Sequence, residues 1–453
     1  MATILLACFI LCEVFFCIGS IWLFGKRTNE RGTKEKIKNI RGILSISEFL
    51  IFQILILFSI VVFSFRWKMV YGILLIRCLI AIALFFIKKK EIKDIKTGKQ
   101  IAKCIFQILI VTFALLPAFL FPQYKLSEVT GEHKIARATY TYEDTNRVET
   151  FNDSLANRKI TMAFWYPADA KEDEKFPLVM FSHGSFGIIA SNTSTYMELA
   201  SHGYVVCSID HPYHTMGTID ADGKFTMVDS SFLNEIMDIN NGVYSEEEIF
   251  KLQKKFMDVR VPDMNFAINT ILSKSRESDS EQVFQLVDQE HIGLFGHSLG
   301  GAESAQLARI RDDIDGVINL EGTMLGEYVD FKDGNYVCNK EPYPVPILNV
   351  YTDTVMDQLA QLPNYQFVNR VSSATAPASF EVYIKGANHM NLTDLPLFSP
   401  FLVSIINQST ENMNVSTNPC DPRTVIDTMN KIVLNFFDCY LKGEGEFTMA
   451  GEY

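Results

Sequence analysis

A serine set between glycines is the first group in this 453-residue chain whose surroundings suit covalent chemistry: Ser298, in the stretch HIGLFGHSLGGAESAQLARI that begins at His291. The stretch reads as a buried strand, a tight turn and an alanine-rich helix, the setting that presents a serine hydroxyl at the top of a sheet. Gly296 and Gly300 suit such a turn, because a close helix–strand approach leaves no room for Cβ atoms. A serine hydroxyl is a poor nucleophile until an imidazole takes its proton. Seven histidines precede it (His133, His183, His202, His211, His214, His291 and His297), and only His389 follows, in a Gly-Ala-Asn-His turn beyond an apolar run. In the chain order nucleophile, acid, base, His389 is therefore the expected base.

The acid must lie between Ser298 and His389 and at the C-terminal end of a strand. Glu321, ending GVINLEG, and Asp353, ending PILNVYTD, both qualify, and spacing does not choose between them. The oxyanion of an acyl-transfer intermediate needs two backbone N–H donors. One is expected from Leu299, directly after the nucleophile, and the other from Ser185, in the loop that follows VMFSHGSFG. There His183 and Gly184 shape the loop and need no acid–base role. His211 and His214, in DHPYHT, have no cluster of partners in sequence and read as loop or pocket wall, so no metal is expected.

These groups need a frame, and the chain from about residue 130 provides it. KITMAFWYPA (159–168), FPLVMFSHG, YVVCSIDH, HIGLFGHS, IDGVINLEG, VPILNVYTD and SFEVYIKGANH read as strands. Between them TSTYMELASHG, VPDMNFAINTILSK (Pro262 near its start), 299–310 and about 423–441 have helical period. Alternating strands and helices predict an α/β fold with a mostly parallel sheet covered on both faces, its chemistry at the strands' C-terminal ends. Residues 214–258 are an insertion, as a lid or a surface excursion.

The first 124 residues differ. Apolar runs at about 3–24, 43–65, 70–87 and 103–121 are each near the ~20 residues that cross a bilayer. The third is the weakest, being interrupted by Arg77. The first has no basic residues before it, so four retained transmembrane helices are expected rather than a signal peptide. Lys/Arg outnumber Asp/Glu 17 to 6 in residues 1–124, whereas the remainder has 24 against 47. Domain boundaries of 1–124 and 125–453 follow. The basic connections, Lys26 to Arg41 and Lys88 to Lys103, fall on one side, which the positive-inside bias makes cytoplasmic. The acidic part then lies on the extracytoplasmic side, in the plasma membrane reading, and its charge excludes nucleic acid as a partner. Glu13, Glu48 and Gln53 stand inside spans, as a polar site or as helix–helix contacts. A Cys338–Cys420 disulfide is allowed on an oxidising side.

FPLVMFSHGSFG, ELASHGYVVCSIDH, GHSLGGA, INLEGTMLG and YIKGANHMNLTDL, in this order across roughly 134–442, resemble the plasma-type platelet-activating-factor acetylhydrolase-like branch of the α/β-hydrolases. The resemblance implies the α/β-hydrolase fold and a serine esterase without metal or organic cofactor. It implies short or oxidised acyl chains on phospholipid-like esters. It favours Glu321 over Asp353, in a Leu320-Glu321 pair where the family usually has Leu-Asp, and it assigns the oxyanion donors to Ser185 and Leu299. The added membrane region has no counterpart in the secreted members. The expected partners are a small-molecule or lipid ester and the membrane, and LPLFSPFLVSII (395–406) could line an acyl pocket, rest on the bilayer or be a buried helix. Two alternatives are a broad carboxylesterase or polyester hydrolase, and a non-catalytic membrane sensor or transport protein with a hydrolase-like ligand domain.

Overall fold

The structure is a computed structural model that describes residues 1–26, 31–86, 97–152, 155–171, 173–362, 366–409 and 419–453. The chain forms two compact units: Met1–Lys125 with Leu397–Ile405, and Leu126–Pro396 with Ile406–Tyr453.

In the first unit four helices, α1 (Ala2–Lys26), α2 (Arg31–Leu57), α3 (Phe65–Phe86) and α4 (Thr97–Leu120), each contain an apolar stretch of 21 to 23 residues, enough to cross a bilayer. Phe52, Trp67, Leu74, Ala114 and Leu115 pack between them. The second helix corrects the expected span 43–65. It ends at Leu57, because Ser59 takes a left-handed backbone (φ 55°) and the Val61 amide returns to the Leu55 carbonyl. The apolar residues 58–64 therefore make the connection. Arg77 does not interrupt the third helix, because its charge is met inside the bundle: Nη2 stands 3.0 Å from Glu13 Oε1 and 2.9 Å from Glu48 Oε2. Arg41 takes the other oxygen of Glu13 at 2.7 Å, and Glu13 is fully buried. Glu13 and Glu48 thus join helices through ion pairs; Gln53 is not among the members. Residues 27–30 and 87–96, parts of the two basic connections and the end of the third apolar run, lie outside the described residues. The segment 395–406 forms the short helices Leu395–Phe398 and Pro400–Ser409. Phe398 packs at 4.9 Å from the Phe121 ring within the first unit, while Phe401 and Ile405 stay exposed.

The second unit is built on nine strands: β1 (Ile135–Val148), β2 (Asn157–Pro167), β3 (Phe176–Ser182), β4 (Val205–Ile209), β5 (Val287–His297), β6 (Gly316–Leu320), β7 (Ile347–Thr352), β8 (Ser379–Ile384) and β9 (Gly451–Glu452). Their order is β1-β2-β4-β3-β5-β6-β7-β8-β9; β1, β2 and β4 pair antiparallel in turn and the remaining pairs are parallel. Every residue of β3, β4, β6 and β7 is buried, which is why these strands read as unbroken apolar runs. Successive residues face opposite sides. Leu178 and Met180 join Met264, Ile268 and Ala302 on one face, under the helices α6 (Glu246–Lys274) and α7 (Leu299–Ile310). Val179 and Phe181 join Tyr196, Leu199, Val433 and Phe437 on the other, under α5 (Thr193–Ser201) and α8 (Pro422–Leu441). Each fully buried large side chain contributes about 1.5–3 kcal/mol to this core.

Two expectations are corrected, those on Pro262 and on the disulfide, and the insertion is given its elements. Pro262 does not start a helix; it lies inside the 29-residue α6, which begins at a capping box between Ser245 and Glu248. The insertion 214–258 is structured: it holds a hairpin (Gly217–Ile219 with Phe225–Met227), a helix (Ser230–Asn240) and the first half of α6. All nine cysteines are free, and Cys338 and Cys420 pack with the cores on opposite faces of the sheet.

Candidate active site

Ser298 sits between β5 and α7 with φ 56° and ψ −121°, a backbone that a non-glycine residue adopts at a cost of about 1–3 kcal/mol. Neighbouring groups hold the turn. The Ser298 amide donates to Leu320 O at 2.9 Å, and Gly301 N to Ser298 O at 2.9 Å. The two flanking glycines are required by space, since a Cβ on Gly296 would strike the Gly300 carbonyl and one on Gly300 the Ser182 carbonyl.

Glu321 follows Leu320 at the end of the adjacent strand β6, again with positive φ (54°). Its carboxylate is buried and divided between two tasks. Oε2 lies 2.8 Å from His389 Nδ1, and Oε1 accepts from both Thr352 N and Thr352 Oγ1 at 2.6 Å. A carboxylate so held cannot rotate, so the imidazole it faces is held too. His389 begins a short 3-10 turn after β8, and its amide donates to Thr354 Oγ1 at 3.0 Å. Asp353, the other strand-end acid, is engaged elsewhere: Oδ1 accepts from Tyr383 Oη (2.8 Å) and Gly386 N (2.9 Å). It braces the turn that leads to His389 and leaves the imidazole to Glu321.

The loop after β3 abuts the serine. A Cβ on Gly184 would stand 3.0 Å from Ser298 Cβ, so only glycine lets this loop come so close. Phe186 takes φ 60° and its amide donates to His214 O, while Gly187 N donates back to Gly184 O. Among the described residues, the amides of Ser185 and Leu299 have no acceptor in the protein. Two N–H groups flanking the serine, free to donate to an incoming oxyanion, have the chemistry of an acyl-transfer site.

Beneath this loop lies a buried charge network that no motif indicates. Arg260 of α6 donates to Ser182 Oγ (2.9 Å), to Glu303 Oε2 (3.0 Å) and to the carbonyl of His183. Glu303, on α7, also accepts from Ser182 Oγ at 2.6 Å. His211 spans the network, with Nδ1 3.0 Å from Asp263 Oδ2 and Nε2 3.1 Å from Glu303 Oε2. Asp263 is held bidentately by Arg158. Burial pushes the Asp263 carboxyl up, but Arg158 outweighs it and keeps the group well below the usual carboxylate range. Arg260 thus ties the loop after β3 to α7. One sequence signal could have found it: Phe256, Arg260 and Met264 follow one another at helical spacing on a buried face.

The remaining histidines are structural. His183 is fully buried, its Nδ1 2.7 Å from Gly184 O; desolvation, then the Arg260 charge, keeps it neutral. His214 stacks on Phe232 at 3.8 Å and is likewise neutral by burial. His297 was passed over because it precedes the serine, yet its Nε2 lies 3.0 Å from the His389 carbonyl. Desolvation, then the neighbouring His389, holds it neutral. A carbonyl carries no proton, so Nε2 of His297 must donate, fastening the main chain of the base. Among the described residues no group of three His, Cys, Asp or Glu is arranged to hold a metal ion.

Residues 148–450 match the family model of platelet-activating factor acetylhydrolase, isoform II. The chain is 22% identical over 300 residues to a platelet-activating factor acetylhydrolase of Bos taurus, covering 63% of this chain. It is 28% identical over 191 residues, 41% of each chain, to a probable 1-alkyl-2-acetylglycerophosphocholine esterase of Arthroderma benhamiae. The chain spans only 62% of the bovine protein's length. In fold it is similar to a ferulic acid esterase from Streptomyces cinnamoneus, with a TM-score of 0.54 and 19% identity over 71% of this chain and 94% of that one. The fold is that of the α/β-hydrolases.

Proposed function

Because the chain belongs to the platelet-activating factor acetylhydrolase isoform II family, we propose that it is a membrane-anchored serine ester hydrolase with Ser298 as nucleophile, His389 as base and Glu321 as the acid that orients it. Ser298 Oγ attacks the ester carbonyl and passes its proton to His389 Nε2, while Glu321 at Nδ1 holds the tautomer and stabilises the imidazolium. The oxyanion accepts hydrogen bonds from the Ser185 and Leu299 amides. His389 then protonates the departing alcohol, leaving acyl-Ser298. Water, deprotonated by His389, attacks the acyl group and releases the carboxylic acid.

The observation that carries this reading is the 2.8 Å contact between His389 Nδ1 and Glu321 Oε2, one residue along from the carbonyl that anchors the strained Ser298 amide. Similarity to platelet-activating factor acetylhydrolases and to a probable 1-alkyl-2-acetylglycerophosphocholine esterase supports phospholipid-like esters with short or oxidised acyl chains as substrates. Four apolar helices support anchoring in a membrane, and the basic connections support an extracytoplasmic catalytic unit in the plasma membrane. Fluorophosphonate labelling of the purified full chain tests the chemistry: the wild type should label and Ser298→Ala should not. An intact, folded wild type that does not label would sink the reading. A panel of phospholipid and simple esters with lengthening acyl chains should show turnover falling with length. Ser127→Cys in a cysteine-free background should react with an impermeant maleimide on intact cells; reaction only after lysis would put the unit on the other side.

A further inference from the structure

The four-helix unit holds a partly open cavity of about 360 Å³ lined by Lys38, Arg41, Arg77 and Lys103, together with Gln100 and Gln107. Its other wall is apolar, including Phe16, Leu84 and Phe85. These four cations face two carboxylates, Glu13 and Glu48. Both carboxylates are engaged by the two arginines, and among the described residues no carboxylate lies within ion-pair reach of Lys38 or Lys103. Among the described residues, positive charge therefore exceeds negative around this cavity. Arg41 Nη2 and Arg77 Nη1 are buried and have no hydrogen-bond partner, so each guanidinium keeps one donor unspent. Lys38 Nζ gives one proton to Leu84 O and retains two. Unpaired cationic donors inside a membrane bundle are costly unless something meets them.

The positions of these residues identify what would. Lys38, Arg41, Gln100 and Lys103 lie toward the N-terminal ends of α2 and α4, and Leu84 and Phe85 at the C-terminal end of α3. With alternating spans these ends share the side of the basic connections, where anionic lipid headgroups gather. We propose that the cavity is a binding site for a phosphate-bearing anionic lipid. The phosphate would accept from the free guanidinium donors and from Lys38 and Lys103, and the start of an acyl chain would lie along Phe16, Leu84 and Phe85. The site is separate from the catalytic serine, and its occupancy is read without turnover.

Native mass spectrometry of the full chain released from detergent measures it, with dioleoylphosphatidic acid and dioleoylphosphatidylcholine as probes. Phosphatidic acid should be retained at least tenfold more tightly, and Lys103→Gln, which leaves the Glu13 pairs intact, should weaken it at least fivefold; Lys38→Gln should act in the same direction. Inorganic phosphate at millimolar levels is the third arm. Displacement of the lipid by phosphate alone supports the same anion site with a soluble source. Equal retention of the two lipids, or unchanged phosphatidic acid binding in both lysine variants, would overturn the proposal.

Discussion

Two buried assemblies of arginine and carboxylate, one in each unit, put the same chemistry to different use. In the hydrolase-fold unit Arg147, Arg158 and Arg260 meet Asp144, Glu149, Asp263 and Glu303, so acids match or exceed bases. The charges are spent on joining α6, the nucleophile helix and the loop beside Ser298. In the four-helix unit Arg41 and Arg77 share Glu13, Arg77 also meets Glu48, Lys38 and Lys103 have no carboxylate partner among the described residues, and the surplus faces a cavity. Buried ion pairs add little net stability, because desolvation offsets their attraction. What distinguishes the two is the leftover charge: near zero or negative where the task is to hold a loop, positive where a ligand can be received.

The largest expected effect concerns the acid that faces His389. Glu321→Gln should lower turnover roughly 10³–10⁴-fold, because an amide at Nδ1 no longer stabilises the imidazolium. Asp353→Asn, which disturbs the bonds from Tyr383 and Gly386 but not the imidazole's partner, should stay within about tenfold. Kinetics on a soluble ester decides, and a reversal of the two would return the role to Asp353.

Next comes the pairing itself. Arg260→Met strands Glu303 in the core and should cost about 3–5 kcal/mol, seen as a lower melting temperature of the whole chain. Adding Glu303→Leu should recover most of that stability but not the labelling rate, since the His183 carbonyl still lacks its donor. Recovery of both would mean that the network only fills space and does not hold the loop. By contrast, Glu13→Gln in the membrane unit should lower stability while changing the labelling rate per folded molecule by less than about threefold, because Glu13 touches no part of the serine site.

The smallest effect is a pH slope. Asp394 is fully buried; desolvation raises its carboxyl to about 6, although Ser194 donates to it through both N and Oγ. Between about pH 4 and pH 6 the folded chain keeps this proton and the unfolded chain has lost it. Stability therefore falls as pH rises through that window, by roughly 3 kcal/mol. Asp394→Asn should flatten this part of a melting-temperature profile; an unchanged slope would assign it to other groups, among them Asp210, which burial also raises to about 6.

How far each feature was legible follows from where its physical cause lies. The central strands were readable because both faces are covered and nearly every side chain is apolar. β1 was missed because it is a half-exposed edge strand carrying Arg137, Glu143, Asp144 and Arg147. The start of α6 is hidden in the sequence because Pro262 resembles a beginning, whereas the burial of Val261, Met264 and their neighbours around it outweighs the one backbone hydrogen bond a proline forfeits.

The sequence by itself determined the order serine, acid, histidine, the single histidine able to follow the serine, the turn that only Gly296 and Gly300 allow, and four apolar helices. These are local properties, set by residue type and spacing along the chain. Only the tertiary structure decided which acid meets His389, that Arg77 pairs with Glu13 across 64 positions, and that Arg260 reaches the His183 carbonyl from 77 positions away. Such contacts depend on which strand ends and helix faces the fold brings within about 3 Å. Two acids at two strand ends look alike until one is seen to be engaged by Tyr383 and Gly386, and the other by His389.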